Sequence, residues 1–389
     1  MPSHTQSLTI EPINLESYQS AHEGDPLAIN GFEYIELYAD CEKQSAFFLS
    51  RAFGFTPVAY KGLETGSKDK ACVIMKQGNV RLVISSPLRS DTEISKHVYK
   101  HGFSVKDVAF NVPDAVLAYQ EALARGATGI IAPERLTDDH GTLIRSAIQT
   151  YGDTIHSFIS RDSYPEDLLP GFVAYEKIFP NSPDISSAGL LCIDHVVGNV
   201  ELGKMDHWVS FYENILGFSQ LTHFTDDDIS TEYSALMSKV MFNGNGKIKL
   251  PINEPAEGKR KSQIEEYLEY NEGPGVQHIA FRTDNIIDTV SNLRKNGVRF
   301  LFVPKTYYEQ IPDRIGEIKE DLQTIQTLGI LVDRDEDGYL LQIFTKTLED
   351  RPTLFFEIIQ REGSQGFGVG NFKALFEAIE RDQAERGNL

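Results

Sequence analysis

The chain repeats itself, and this repetition limits its architecture more than any other feature. Residues 48–55 (FLSRAFGF) lie over 211–218 (FYENILGF), and both segments read as a helix stopped by Gly-Phe. At a second constant offset, 105–110 (VKDVAF) lie over 276–281 (VQHIAF), and the helix endings Ala124-Arg125-Gly126 and Lys295-Asn296-Gly297 keep the same step. A gap-free match across strand, helix and glycine stop marks an internal duplication of one strand, helix and strand module. The copies predict similar elements. Phe32–Tyr38 alternates as a strand, and Gln44–Phe53 follows as a helix with Phe47, Phe48, Ala52 and Phe53 on one face. Later, Ile193–Val200 reads as a strand, followed by helical spacing of Trp208, Phe211, Tyr212 and Ile215. Short β-rich runs at 71–75, 80–84, 238–242 and 247–250 fill the interiors of the copies. The expected fold class is α+β, with two tandem domains, each a curved mixed sheet as a half-barrel or barrel with outer helices, and a C-terminal lid helix. The expected boundaries are a polar tail at 1–27, a first domain at 28–165, a Pro-rich linker at 166–187, and a second domain at 188–389.

Within the second copy, Thr353–Arg361 reads as a buried strand carrying one carboxylate, Glu357. An unpaired charge there would cost several kcal/mol, so something must compensate it. Two other strand-like runs carry one imidazole each, His195 in 193–197 and His278 in 275–281. Two histidines and one carboxylate on neighbouring strands are the ligand set of a non-haem Fe(II) facial triad, which leaves three adjacent positions open. The first copy acts as a control. It has Tyr34 opposite His195, Asp107 opposite His278 and Ser157 opposite Glu357, so it keeps none of the three ligands and is read as the domain without metal.

Polar side chains that could hold a bound acid stand nearby in sequence: Ser238, Asn253, Gln263, Gln277 and Gln342. Strand alternation turns Gln277 away from His278. Phe344, Phe355 and Phe356 are core residues by default, with a second role in sandwiching a ring. Gly366–Asn371 reads as a hinge into a helix with Phe372, Leu375, Phe376 and Ile379 on one face, placed to close over the iron and exclude water.

A net charge of −20 argues against nucleic acid and anionic membrane surfaces as partners. No apolar run approaches the roughly 20 residues of a membrane helix, and Met1–Asn30 carries no recognisable targeting pattern. Three cysteines without CxxC spacing speak against a disulfide scaffold, so the cytoplasm is the expected compartment.

Taken together, Asp194-His195-Val196, Leu250–Ala256, Gly275–Ala280, Leu341–Lys346, Asp350–Arg361, Gly366–Phe372 and the ending Arg386–Leu389 resemble the 4-hydroxyphenylpyruvate dioxygenase family of the vicinal oxygen chelate superfamily. The resemblance is strong over about 190–389 and weaker over 28–165, and Thr347 departs from the proline usual there. It implies two tandem vicinal-oxygen-chelate-type domains and Fe(II) on His195, His278 and Glu357. It also implies Gln277, Gln342, Asn253 and Gln263 as catalytic side chains, with Ser238, Pro251, Phe344, Phe355, Phe367, Asn371 and Phe372 around the substrate. The implied reaction takes 4-hydroxyphenylpyruvate and O2 to homogentisate and CO2 in tyrosine degradation, in a homodimer or homotetramer. Hydroxymandelate synthase, which resembles this family in fold and ligands, is the nearest alternative, and Phe344 speaks against it because the synthases tend to carry a smaller aliphatic residue there. A metal-free binding protein built from the same modules is a rival of another class, and the intact triad speaks against that.

Overall fold

The computed structural model describes residues 8–15, 27–182, 184–224, 235–256, 258 and 260–388. Its two sheets repeat one strand order. The first runs from edge to edge through Thr9–Pro12, Gly129–Asp138, Gly141–Gln149, Ile155–Ser160, Ser104–Asn111, Gly31–Tyr38, Val80–Pro87, Lys70–Gln77, Thr56–Lys61 and Val173–Ala174. The second runs through Leu331–Arg334, Tyr339–Phe344, Phe355–Glu362, Gly275–Arg282, Cys192–Asn199, Lys249–Ala256, Ala235–Phe242 and Ser219–Phe224. Apart from the two outermost strands of the first sheet, the orders coincide, and each mixes parallel with antiparallel pairs. This is the duplication in three dimensions, and each copy is an α+β unit of vicinal-oxygen-chelate type.

Contacts along the chain group residues 1–187, 207–219 and 241–249 into one unit, and 188–206, 220–240 and 250–389 into the other. Within the stretch read as a tail, Thr9–Pro12 pairs antiparallel with Gly129–Asp138; residues 1–7 and 16–26 lie outside the described residues. The Pro-rich stretch likewise contributes Val173–Ala174 as an edge strand beside Thr56–Lys61.

The paired helix stops have a common backbone cause. Gly54 and Gly217 sit at φ of 76° and 70°, a left-handed conformation that a Cβ disfavours. The face of the first helix, Glu42–Phe53, differs from expectation. Ala46, Leu49, Ala52 and Phe53 are buried, whereas Phe47 and Phe48 are 65% and 41% exposed. Helical spacing admits either apolar stripe, and the sheet packs against the one that includes Leu49.

Candidate metal centre and substrate pocket

The ligand geometry starts from one small residue. On the central strand Gly275–Arg282, Ala280 pairs with His195 on one side and with Glu357 on the other. Residues in one row across a sheet share a face, and a methyl side chain in the middle leaves room for imidazole and carboxylate to meet over it. His278, two residues earlier on the central strand, joins them. The three ligand atoms lie within 4.8 Å of one another, and all three residues are buried. Glu357 Oε2 stands 3.0 Å from His195 Nε2 and 3.3 Å from His278 Nε2.

Two β-bulges arrange what stands behind the imidazoles. The register slips between Ile193 and His195, which leaves Asp194 as the extra residue, and again between Val197 and Gly198, which leaves Gln277 extra on the facing strand. Each extra residue escapes the alternation that would turn it from its neighbour. Accordingly Asp194 Oδ1 lies 2.8 Å from His195 Nδ1, and Gln277 Oε1 lies 3.0 Å from His278 Nδ1. The expectation that Gln277 faces away from His278 is therefore corrected. Arg361 donates to both Asp194 oxygens, at 2.8 and 2.7 Å. Burial pushes the Asp194 carboxyl up, yet Arg361 and His195 outweigh it and hold it well below the usual carboxylate range.

Burial disfavours the charged form of His195, but Glu357 and Asp194 overcome it and raise the pKa. His278, backed by a neutral amide, is lowered, chiefly by burial. Burial opposes ionisation of Glu357, but the two imidazoles prevail and bring its pKa down to about 2. With each Nδ1 proton directed at its backing oxygen, the two Nε2 lone pairs and the carboxylate face one another. Such a donor set repels itself unless a proton or a cation stands among it, so the residues fit a divalent metal.

The equivalent places in the first unit hold a closed hydrogen-bond set. Tyr34 pairs with Ala109 as His195 does with Ala280. Ser157 donates to Asp107 through Oγ at 2.5 Å and through its backbone N–H at 2.9 Å, while Tyr34 Oη lies 3.4 Å from the same carboxylate. Burial pushes Asp107 up to about 6. These neighbours satisfy the acid without a metal.

Around the triad, one cavity is lined by Val197, Pro251, Gln342, Phe344, Phe367, Phe372 and Leu375 together with the three ligands. Gln342 Nε2 donates to Glu357 Oε1 at 2.9 Å, and Asn371 Nδ2 to Gln342 Oε1 at 3.0 Å. Phe355 stacks on the His278 ring with centroids 4.7 Å apart. Gln263, Gln277 and Phe355 line a neighbouring cavity rather than the first. Ser238 and Asn253 line neither, but they share a property with Gln263: Ser238 Oγ, Asn253 Oδ1 and Gln263 Oε1 are buried without a hydrogen-bond partner among the described residues, as is Asn199 Nδ2. Buried polar atoms are seldom left so, and a bound polar ligand would satisfy them. The helix Val369–Glu385 packs Phe376 against Leu236, Val240, Ile264 and Phe367. Sequence reasoning missed Val197 as a lining residue, although it follows from periodicity, two residues beyond His195 on a strand.

Two family models match the chain. "Hydroxyphenylpyruvate dioxygenase, HPPD, N-terminal" covers residues 24–168, and "Glyoxalase/Bleomycin resistance protein/Dioxygenase superfamily" covers 193–343. A 4-hydroxyphenylpyruvate dioxygenase of Yarrowia lipolytica is 47% identical, covering 100% of this chain and 98% of its own. One from Danio rerio is 47% identical over 92% of each chain. Among solved structures, a mutant of 4-hydroxymandelate synthase from Streptomyces coelicolor aligns with a TM-score of 0.79 at 31% identity, covering 92% of this chain and 99% of that one.

Proposed function

The chain belongs to the 4-hydroxyphenylpyruvate dioxygenase family, and from that premise we propose that it converts 4-hydroxyphenylpyruvate and O2 to homogentisate and CO2 as a step of tyrosine degradation. The dioxygenase reaction on 4-hydroxyphenylpyruvate follows from the family; the iron, the product and the pathway are our reading. The observation that carries it is the convergence of His195, His278 and Glu357, which among the described residues occurs in the second unit alone. These three residues would hold Fe(II), which when bound would supply the redox chemistry for activating dioxygen at the expense of the keto acid, with its carboxylate lost as CO2.

The protein's own side chains do the rest. Gln342 occupies one Glu357 oxygen and so leaves the other for the metal. Asp194 and Gln277 fix the proton of each imidazole on Nδ1, which keeps Nε2 free to coordinate. In this reading Phe344 and Phe372 hold the aromatic ring, and Phe355 keeps His278 in plane. The orphaned polar atoms of Ser238, Asn253 and Gln263 receive the polar ends of the substrate. Pro251 and Phe367 close the pocket wall, and Leu375 on the C-terminal helix helps exclude water.

Three unpaired cysteines are consistent with a cytoplasmic setting. No helix among the described residues is long and apolar enough to cross a membrane. A homodimer or homotetramer remains part of the proposal. The test is chromatography of the product formed from 4-hydroxyphenylpyruvate under air with added Fe(II). Homogentisate with stoichiometric CO2 is expected. 4-Hydroxymandelate as the main product would move the chain to the synthase reading, and no turnover with no bound iron would favour a metal-free binding protein.

A further inference from the structure

The second unit departs from the first by an insertion. In the first, helix Ala115–Ala124 leads to the strand that starts at Gly129. In the second, helix Ile286–Lys295 reaches the corresponding strand only at Leu331, after three short helices, Lys305–Glu309, Ile311–Ile315 and Leu322–Leu328. Two side chains of that insertion, Tyr307 and Arg314, join Asp333 in holding the start of the C-terminal helix.

Asp333 Oδ2 accepts from the backbone N–H groups of Gly370 at 2.7 Å and Asn371 at 3.2 Å. The approach is so close that a Cβ on Gly370 would stand 2.8 Å from Arg314 Nη1, and one on Gly368 2.8 Å from Asp333 Cβ. These glycines therefore serve docking as well as flexibility.

Hydrogen-bond accounting then gives the contact a direction. Tyr307 Oη accepts from Arg314 Nη2 at 2.9 Å and from Val332 N–H at 2.8 Å. The single Tyr307 proton has two acceptors in reach, the Val332 carbonyl at 2.8 Å, which Arg314 Nη2 also serves at 2.8 Å, and Asn371 Oδ1 at 2.6 Å; it goes to Asn371, since otherwise two acceptor oxygens would meet at 2.6 Å. With Oδ1 accepting, Asn371 must donate through Nδ2 to Gln342 Oε1, and Gln342 must donate through Nε2 to Glu357 Oε1. The chain runs from a guanidinium at one end to a carboxylate at the other, and each amide between them is oriented by it.

We propose that Tyr307 is a positioning residue for the metal centre. By orienting Asn371 and, through it, Gln342, it keeps Glu357 Oε1 engaged, so that Oε2 alone is offered to the metal while the C-terminal helix is docked. One carboxylate contact rather than two leaves room for substrate and dioxygen.

The duplication separates this device from general module features. Arg361 also reaches the same segment, through Ser364 O and Gly366 O, but its counterpart Arg161 binds Glu33 and reaches Pro165 O and Leu168 O in the same manner. That contact belongs to the module. Gln342, by contrast, pairs with Ile359 where the first unit has Arg145 paired with Ile159. Asp333 stands where the first unit has Leu136.

The proposal rests on the reading of His195, His278 and Glu357 as metal ligands, and the test distinguishes the two. Fe(II) affinity is measured without substrate, by chelator competition, for the parent, Tyr307→Phe, Gln342→Leu and the double variant. Tyr307→Phe should bind Fe(II) about tenfold more weakly, the usual scale for a residue behind a ligand. In the Gln342→Leu background it should add nothing, because the chain is already cut. Equal affinity of Tyr307→Phe and parent, or a full additional loss in the double variant, overturns the proposal. If the Tyr307→Phe protein melts earlier than the parent, Asn371→Ala, which leaves Val332 and Arg314 untouched, must reproduce the loss or the proposal fails. A parent chain that does not bind Fe(II) overturns the metal reading itself, and this proposal with it.

Discussion

Truncating Phe376 to Ala should open the site without unfolding the sheet beneath it. The ring is fully buried against Leu236, Val240, Ile264 and Phe367, with Phe372 and Leu268 packed alongside. Phe367 and Phe372 also line the triad cavity, so the anchor of the helix and the wall of the site share side chains. Removing a buried phenylalanine side chain costs about 3–5 kcal/mol. The helix is tied further by Leu375, Ala378 and Ile379, packed with Leu301, Phe344 and Phe355, and by polar contacts: Arg386 and Asn388 to Glu266 at 2.6 and 2.8 Å, and Lys346 to Asp382 at 2.6 Å. Partly exposed ion pairs contribute about 0–1 kcal/mol each, so the apolar contacts carry the docking, and the Phe376 ring is the largest fully buried side chain among them. If the helix undocks as a unit, the open fraction should rise roughly a hundredfold to a few thousandfold, at 1.4 kcal/mol per factor of ten. Amide hydrogen exchange measures this directly. Residues 371–385 should lose protection by that factor while Gly275–Arg282 keeps its own, and less homogentisate should form per O2 consumed. Helix and strand losing protection together would show that the helix is part of one cooperative core, and unchanged protection would show that Phe376 is not the anchor.

Metal analysis should find one iron per chain, because Tyr34, Asp107 and Ser157 occupy the triad's places in the first unit; Glu357→Ala should lose both iron and turnover with an unchanged circular dichroism spectrum, and two tightly held irons per chain would contradict the reading. Phe344 faces Glu357 across the strand pair, and its ring centroid lies 6.2 Å from that of His278. Phe344→Ile should therefore let the substrate ring tilt by about 1 Å and divert part of the product to 4-hydroxymandelate without loss of iron; homogentisate alone at the parent rate would mean the ring is held elsewhere. His156 donates through Nδ1 to the Val108 carbonyl at 2.9 Å and accepts from Tyr212 Oη at 2.8 Å, and burial lowers its pKa from 6.5 to about 4. Because the folded-state pKa is depressed, the stability it contributes is present above pH 6.5 and is lost as the pH falls toward 4, by at most about 3 kcal/mol. His156→Gln can keep both hydrogen bonds without titrating, so its melting temperature should fall less than the parent's between pH 7 and pH 5; parallel falls would rule His156 out as the sensor.

The linear order of residues already determined the repeated module, the paired glycine stops and the three residues that converge, His195, His278 and Glu357. Each depends on local spacing or on comparison of one copy with the other. The apolar face of the C-terminal helix was equally legible, since Leu375 and Phe376 keep helical spacing and are buried. Tertiary structure decided what periodicity leaves open. Phe47 and Phe48 lie outside because Leu49 and Phe53 take the sheet-facing stripe. Gln277 faces His278 because a bulge, set by the pairing of two strands far apart in sequence, breaks the alternation. Thr9–Pro12 becomes a strand only because the edge of Gly129–Asp138 offers it hydrogen bonds. Tyr307 and Asn371 are 64 positions apart, and nothing in the residues near either one signals the contact. Spacing carries information about which residues share a face, because helix and strand have fixed periods. It carries none about which faces meet, since that is set by the packing of distant segments, and the hydrogen bonds that orient Glu357 are made there.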